Sequence, residues 1–290
     1  MQRVTSWLNR LGLLGELVKF EHTIFALPFA YAGAFLGARG MPTWTELILI
    51  TLAMVGARTS AMGFNRLIDK QIDAKNPRTK DRPLAKGVVS DFSVLSISIG
   101  GLILLGVSAW LLNPVAALFL PLVIPILVIY PYTKRFTWLC HYWLGLAQFF
   151  APFGGWIAVT GQVELGAIIL GLIVGLWIAG FDIIYATQDF EFDRQEKLHS
   201  VPANFGLERA LNLARLTHVV VIFLLVVFHV GNNMGLAFLI GIIIAALMLI
   251  YEHSLVSAED LSRVNVAFFN VNAMISIVLF VAVVLDLFVL

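Results

Sequence analysis

The chain predicts an all-α protein that crosses a membrane many times, and three observations carry that prediction. Of its 290 residues 60% are hydrophobic and 13% charged, against about 25% charged in ordinary proteins. Apolar stretches near the ~20 residues that a spanning helix needs recur along its length. Its basic residues fall on alternate links between those stretches, which sorts the links onto two sides. A formal net charge of +1 gives no reason to expect a nucleic-acid partner. The single cysteine, Cys140, excludes an internal disulfide and a cysteine-based metal site.

Nine spans are predicted, over 22–39, 45–68, 92–112, 114–133, 138–160, 164–187, 208–230, 233–251 and 265–289. Breakers in "RGMPTW", "LLNP", "VTGQ" and "HVGNNMG" separate several of them. The 113–114 break has a second reading, in which "SAWLLNPVAALF" is one bent helix. Pro121, Pro125 and Pro131 are expected to kink the fourth span. Residues 1–20 lack the short apolar core and cleavage site of a signal peptide. They read as an interfacial amphipathic helix, with Trp7, Leu8, Leu11, Leu14 and Val18 on one side and Arg3, Arg10 and Lys19 available to the interface. Nothing marks off a second domain, so residues 1–290 are taken as one, with cap loops at 69–91 and 188–209.

All but two of the 19 Lys and Arg residues lie on one side or at its adjoining helix ends. The exceptions are Arg39, opposite, and Arg58, within the second span. The positive-inside rule makes the rich side cytoplasmic.

That side also gathers acids. Arg58, Asn65, Asp69 and Asp73 follow in steps of seven, four and four, which keeps them on one helical face. Asp182, Asp189 and Asp193, in steps of seven and four, are expected to share a face at the end of the sixth span. A proline-containing basic loop follows each stripe. One Asp at such a place is ordinarily a solvated helix end. Two Asp-x-x-x-Asp stripes are different, because facing carboxylates repel unless a cation lies between them. Hard oxygen donors suit Mg²⁺ or Ca²⁺ rather than zinc. Acids that hold metal beside bases that hold phosphate are what a diphosphate requires. A lipid diphosphate would keep its head at the aqueous edge and its tail among the helices.

The motifs resemble those of the UbiA superfamily of intramembrane aromatic prenyltransferases over nearly the whole chain. The first signature reads "NRLIDKQID": Asn65, Asp69 and Asp73 match, and Arg66 stands where the family has Asp. "RTKDRPLAKG" matches through Arg78, Thr79, Arg82, Pro83, Leu84 and Gly87. The second signature is met by Tyr185, Asp189 and Asp193, and "YPYTKRFT" supplies Lys134 and Arg135. The resemblance implies nine helices around a central cavity with cytoplasmic caps. It implies Mg²⁺ held by Asn65, Asp69, Asp73, Asp189 and Asp193. Diphosphate would meet Arg66, Lys70, Arg78, Arg82 and Lys134; the acceptor would meet Arg58, Arg135, Asp182 and Tyr185. "KFEHTIFALPFAYAGAFL" and the first motif are most similar to the branch associated with futalosine-route menaquinone synthesis. The implied substrates are a polyprenyl diphosphate and an aromatic hydroxy acid, either 4-hydroxybenzoate or a hydroxynaphthoate. The implied place is a bacterial cytoplasmic membrane.

Several residues keep two readings. Arg58 either meets the acceptor or pairs with Asp182, and Asp182 is either that partner or a site residue. Arg66 either removes a metal ligand or supplies a cation to phosphate. Glu21 and His22 are interfacial anchors or acceptor contacts. Lys75, Lys80 and Lys86 read as loop charge, and His141, His218, His229 and His253 are not read as ligands. A haem or glycerol-phosphate prenyltransferase, a transporter or proton relay, and a scaffold remain the rival classes.

Overall fold

The computed structural model describes residues 23–289. The expected helix over 1–20, with Glu21 and His22, lies outside the described residues. Among the described residues every regular element is helical. They are α1 (Thr23–Ala38), α2 (Trp44–Lys75), α3 (Asp91–Leu112), α4 (Pro114–Leu118), α5 (Leu120–Thr133), α6 (Cys140–Thr160) and α7 (Leu165–Ala186). There follow a 3₁₀ turn (Thr187–Asp189), α8 (Phe190–Gln195), α9 (Val201–Phe205), α10 (Leu207–Gly231), α11 (Leu236–Ser254), a π-helical segment (Val266–Val271) and α12 (Asn272–Phe288).

Helices occupy each stretch where the hydropathy pattern asks for one. Six are long and apolar enough to cross a membrane: Trp44–Lys75, Asp91–Leu112, Leu165–Gln195, Leu207–Gly231, Leu236–Ser254 and Val266–Phe288. Leu27–Ala38 and Leu120–Thr133 are shorter apolar helices. Large apolar side chains face outward, among them Trp44, Phe92, Trp110, Phe223 and Ile250. Such a surface suits hydrocarbon rather than water.

Local chemistry explains the ends. Thr43 and Glu46 form a capping box at the start of α2. The break at 113–114 is real. Asn113 is extended, caps α4 through Ala116 N–H, and donates to the Ile157 and Ala158 carbonyls at 2.8 and 3.0 Å. An open backbone end inside an apolar bundle is thereby satisfied.

α7 is the central helix, with 61% of its apolar window buried inside the protein. It packs between α6 and α10. Gly145 and Gly175 allow its closest approach to α6: a Cβ on Gly145 would lie 2.3 Å from the Gly175 carbonyl oxygen. Small residues substitute for the hydrophobic effect here, since lipid is as apolar as the side chains.

Two expectations about the caps need correction. The segment 69–91 is not loop throughout, because α2 continues to Lys75 and carries Asp69 and Asp73 as helix. Asp182, Asp189 and Asp193 do not share one helical face, because the 3₁₀ turn at Thr187–Asp189 interrupts the α-helix between them. A tighter turn advances the chain by 120° per residue rather than 100° and changes the phase.

Candidate functional site

The acidic ends of α2 and α7 line one cavity of about 740 Å³. Asp69 and Asp73 reach it from continuous α2 at 2% and 5% exposure. Burial at that depth is tolerable only with counter-charge. Asp69 Oδ2 lies 2.7 Å from Lys134 Nζ and accepts from Asn65 Nδ2 at 3.3 Å. Arg135 Nη1 lies 3.1 Å from Asp69 Oδ1, which still makes no hydrogen bond. Arg82 bridges both oxygens of Asp73 at 2.7 Å each. Arg66 Nη1 lies 3.8 Å from Asp73 and donates to Asn65 Oδ1 at 3.3 Å. The residue that leaves the expected pattern is therefore a cation set inside the acidic wall.

The loop after α2 is folded back onto it. Leu84, 1% exposed, packs with Val94 against Met62 and Leu67. Thr79 Oγ1 donates to the Asp73 carbonyl at 3.1 Å. Gly87, at φ +73°, closes the turn in a conformation that costs a side-chain-bearing residue more. This folding carries Arg78 across the cavity mouth. Its Nε and Nη2 both donate to Asp189, its Nη1 donates to Tyr185 Oη at 3.1 Å, and Asn76 Nδ2 donates to Asp189 at 2.9 Å. Burial alone would lower the Arg78 guanidinium; the hydrogen bond and charge of Asp189 outweigh it and hold the pKa above its ordinary value. A second link crosses between the caps, from Lys75 Nζ to Glu196 at 2.6 Å.

Deeper in, the cavity turns aromatic. Trp177, Phe181 and Tyr185 follow on one face of α7, and Phe29, Phe268 and Phe269 face the same space. Ring centroids lie 5.0 Å apart for Phe29–Trp177, 5.1 Å for Trp177–Phe181 and 4.1 Å for Tyr185–Phe268. The π-helical segment places Phe268 and Phe269 there, as such segments often do at sites. Electron-rich faces without nucleophiles can stabilise a cation without trapping it.

Asn65, Arg66, Asp69, Asp73, Arg78, Arg82, Lys134, Asp189, Asp193, Arg58, Asp182 and Tyr185 all line this cavity. Two expected site residues do not. Lys70 turns to the exposed Asp91 at 2.6 Å. Arg135 donates to the Pro131 and Ile68 carbonyls at 3.0 and 2.7 Å and clamps α5 to α2. The Arg58–Asp182 pair does not form. Arg58 Nε is buried without a partner, while Asp182 Oδ2 bonds His141 Nδ1 at 2.7 Å. The sequence reading passed over His141, which lines the cavity. Its signal was a polar side chain within a span, where such groups are usually functional.

A helical membrane bundle with a charged mouth above an aromatic cavity defines a class: enzymes and carriers that hold an anionic head at the membrane edge and an apolar body within. The chain belongs to the UbiA prenyltransferase family, whose model matches residues 26–277. It is therefore a prenyltransferase. A relative in Vibrio campbellii, named 4-hydroxybenzoate octaprenyltransferase, is 30% identical over 263 residues, 89% of this chain and 88% of that protein. A protoheme IX farnesyltransferase of Korarchaeum cryptofilum is 33% identical, over 87% of this chain and 86% of its own. The apo structure of a UbiA homologue from Aeropyrum pernix K1 superposes with a TM-score of 0.83 at 35% identity, covering 92% of this chain and 98% of that one. The fold is shared, at 21% identity and a TM-score of 0.72 over 93% of this chain and 99% of that one, with an Archaeoglobus fulgidus homologue bound to GPP and Mg²⁺.

Proposed function

We propose that the chain transfers a polyprenyl group from a polyprenyl diphosphate to the ring of an aromatic hydroxy acid, 4-hydroxybenzoate or a hydroxynaphthoate, with Mg²⁺. The observation that carries this reading is the single cavity with carboxylates and guanidinium groups at its mouth and aromatic rings below. On this reading nine helices span a bacterial cytoplasmic membrane, and the mouth opens to the cytoplasm.

The residues present fit Mg²⁺. Asn65, Asp69, Asp73, Asp189 and Asp193 are hard oxygen donors around one space, and Asp69 Oδ1 is a buried oxygen with bonding capacity to spare. Among the described residues no three His, Cys, Asp or Glu side chains converge to cage a metal. Mg²⁺ asks for less: one or two carboxylates, with water and phosphate completing the shell. When bound it would neutralise the diphosphate and make it a better leaving group.

The chain's own residues do the rest. Arg78, Arg82, Arg66 and Lys134 hold diphosphate oxygens as charge builds on them, giving up their carboxylate partners to do so. Trp177, Phe181 and Tyr185 flank the allylic cation and exclude water. Arg58, with its unpartnered Nε, meets the acceptor's carboxylate, and Asp182 and Tyr185 border its ring. The cation attacks the ring carbon beside the hydroxyl, and proton loss restores aromaticity. Below the site an apolar recess of about 120 Å³, lined by Ala53, Ala57, Leu105 and Phe150, shares Arg58 and Gln148 with it and gives a tail somewhere to lie.

A membrane assay tests the proposal with Mg²⁺, a labelled prenyl diphosphate, and 4-hydroxybenzoate, dihydroxynaphthoate and haem offered in parallel. Prenylated aromatic acid identified by mass is the expected product. Prenylated haem alone would move the chain to the second acceptor class, which its Korarchaeum relative represents. Ion flux in proteoliposomes without prenyl transfer would favour a carrier.

A further inference from the structure

Aromatic prenylation needs a proton acceptor near the ring, and the acids at the mouth are poorly suited to it. Asp69, Asp73 and Asp189 are each paired to Lys or Arg, and Asp193, without such a pair among the described residues, lies on α8 beyond Asp189, at the diphosphate end with them. Asp182 is on α7, and Asp189, seven residues later, closes the 3₁₀ turn that follows it, which puts Asp182 roughly 10–12 Å deeper. It lines the cavity and has no Lys or Arg partner among the described residues.

Its partner is His141, 3% exposed on α6. His141 Nε2 accepts the backbone N–H of Val201 at 3.2 Å. A ring nitrogen that accepts a hydrogen bond carries no proton, so the proton sits on Nδ1 and is donated to Asp182 Oδ2 at 2.7 Å. Val201 is itself fully buried, where the N–H must find an acceptor. The tautomer is therefore set by the fold. One carboxylate oxygen is fixed by the imidazole. The other, Oδ1, has no hydrogen-bond partner among the described residues, and the side chain keeps 24% exposure. Arg58 from α2, Tyr130 from α5, and Phe181 and Tyr185 from α7 border the same cavity.

We propose that Asp182 accepts the hydroxyl proton of the aromatic acceptor, with His141 as the positioning residue that orients it. The assignment rests on the prenyl-transfer reading above. As the C–O bond to diphosphate breaks, its electron pair leaves with the diphosphate. The ring carbon beside the hydroxyl bonds the prenyl carbon while the O–H proton passes to Asp182 Oδ1, giving a neutral dienone. The ring hydrogen at the new bond then leaves as a proton to the displaced diphosphate, which carries it out, and the proton on Asp182 returns to oxygen. One proton and one diphosphate are released per turnover. A general base contributes about 10²–10⁴-fold in rate.

The test compares wild type with Asp182→Asn, His141→Ala and His141→Asn in membranes, using labelled geranyl diphosphate and 4-hydroxybenzoates of graded acidity made by ring fluorination. Asp182→Asn is expected to lower kcat at least 100-fold for the parent acceptor, with labelled diphosphate binding within threefold of wild type. The deficit should shrink as the acceptor hydroxyl becomes more acidic and needs less help to ionise. His141→Asn, whose amide can still donate to Asp182, should recover most of the kcat that His141→Ala loses. An Asp182→Asn kcat within threefold of wild type overturns the assignment. So does an equal loss for every acceptor, or a loss in diphosphate binding alone. If wild type prenylates no phenolic acid, the acceptor reading itself fails and this assignment fails with it. Activity in wild type with an unaffected Asp182→Asn sinks only the proton acceptor.

Discussion

The two acidic walls share a spacing and differ in everything that supports it. Asp69 and Asp73 sit on an uninterrupted helix and are nearly fully buried. Asp189 closes a 3₁₀ turn and Asp193 lies on the short α8, both partly open. The first wall finds its counter-charges in α2, in its own following loop and beside α5, through Arg66, Arg82 and Lys134. The second borrows Arg78 and Asn76 from the loop after α2. One wall stands on continuous helix, held by its own secondary structure. The other depends on the contact that spans the mouth. A diphosphate entering between them must replace the cross-wall bonds, so the mouth is closed by the same groups that would grip the ligand.

The largest expected effect comes from breaking both walls equally. Asp69→Ala and Asp189→Ala should each lower Mg²⁺-dependent prenyl transfer by 10² to 10³-fold or more, on the scale of about 3–4 kcal/mol for one preorganised electrostatic contact. Full activity in either variant would remove that wall from the metal assignment.

Arg78→Ala separates the walls. On the proposed function Arg78 exchanges its bonds to Asp189 and Tyr185 for the diphosphate, so its loss should lower prenyl diphosphate affinity about 10- to 100-fold, at about 1.5–3 kcal/mol for a bond to a charged group. KM for the diphosphate should rise more than kcat falls; unchanged KM would show that Arg78 serves the closed mouth alone.

Arg82→Ala addresses the first wall by itself. It strips the two-pronged bond from buried Asp73 and leaves Arg66 at 3.8 Å. A loss of about 2 kcal/mol in stability is expected, read as a lower melting temperature in detergent. Arg78→Ala should melt closer to wild type, because its partner is more open.

Lys70→Ala should change the least. Its bridge to Asp91 is exposed at both ends, 38% and 61%, and such pairs contribute about 0–1 kcal/mol. Activity within twofold of wild type is expected in the same assay. A tenfold loss would return Lys70 to the site.

Much of the site was legible in the sequence. Asp69, Asp73 and Asn65 were placed on one face by helical periodicity, and α2 obeys it. Lys134 is reached through its segment; Lys86, expected as loop charge, pairs with Asp81, while Lys75, expected in the same loop, ends α2 and pairs with Glu196. Lys70 turns from the cavity to Asp91, because side-chain direction on a helix depends on neighbours that one sequence does not display. Arg135 does not line the cavity either, but it meets Asp69 at 3.1 Å while donating to two carbonyls. His141 was missed for a related reason: its partner lies on another helix, 41 residues away in sequence. The aromatic lining is not legible in the sequence, since Phe is abundant in any membrane bundle and only packing tells lining from lipid contact.

By itself the sequence determined the membrane class, the all-helical character and the gathering of acids and bases in two segments. These follow from local rules: hydropathy over about 20 residues, a 3.6-residue period, and the charge that each side chain carries. Tertiary structure alone decided that Arg78 crosses to Asp189, that Arg58 stands free of Asp182, and that His141 holds that carboxylate. The His141–Asp182 and Arg78–Tyr185 contacts, at 2.7 and 3.1 Å, join groups far apart in the sequence. Packing, led by close approaches such as Gly145 against Gly175, fixes those distances, and no property of an isolated segment contains them.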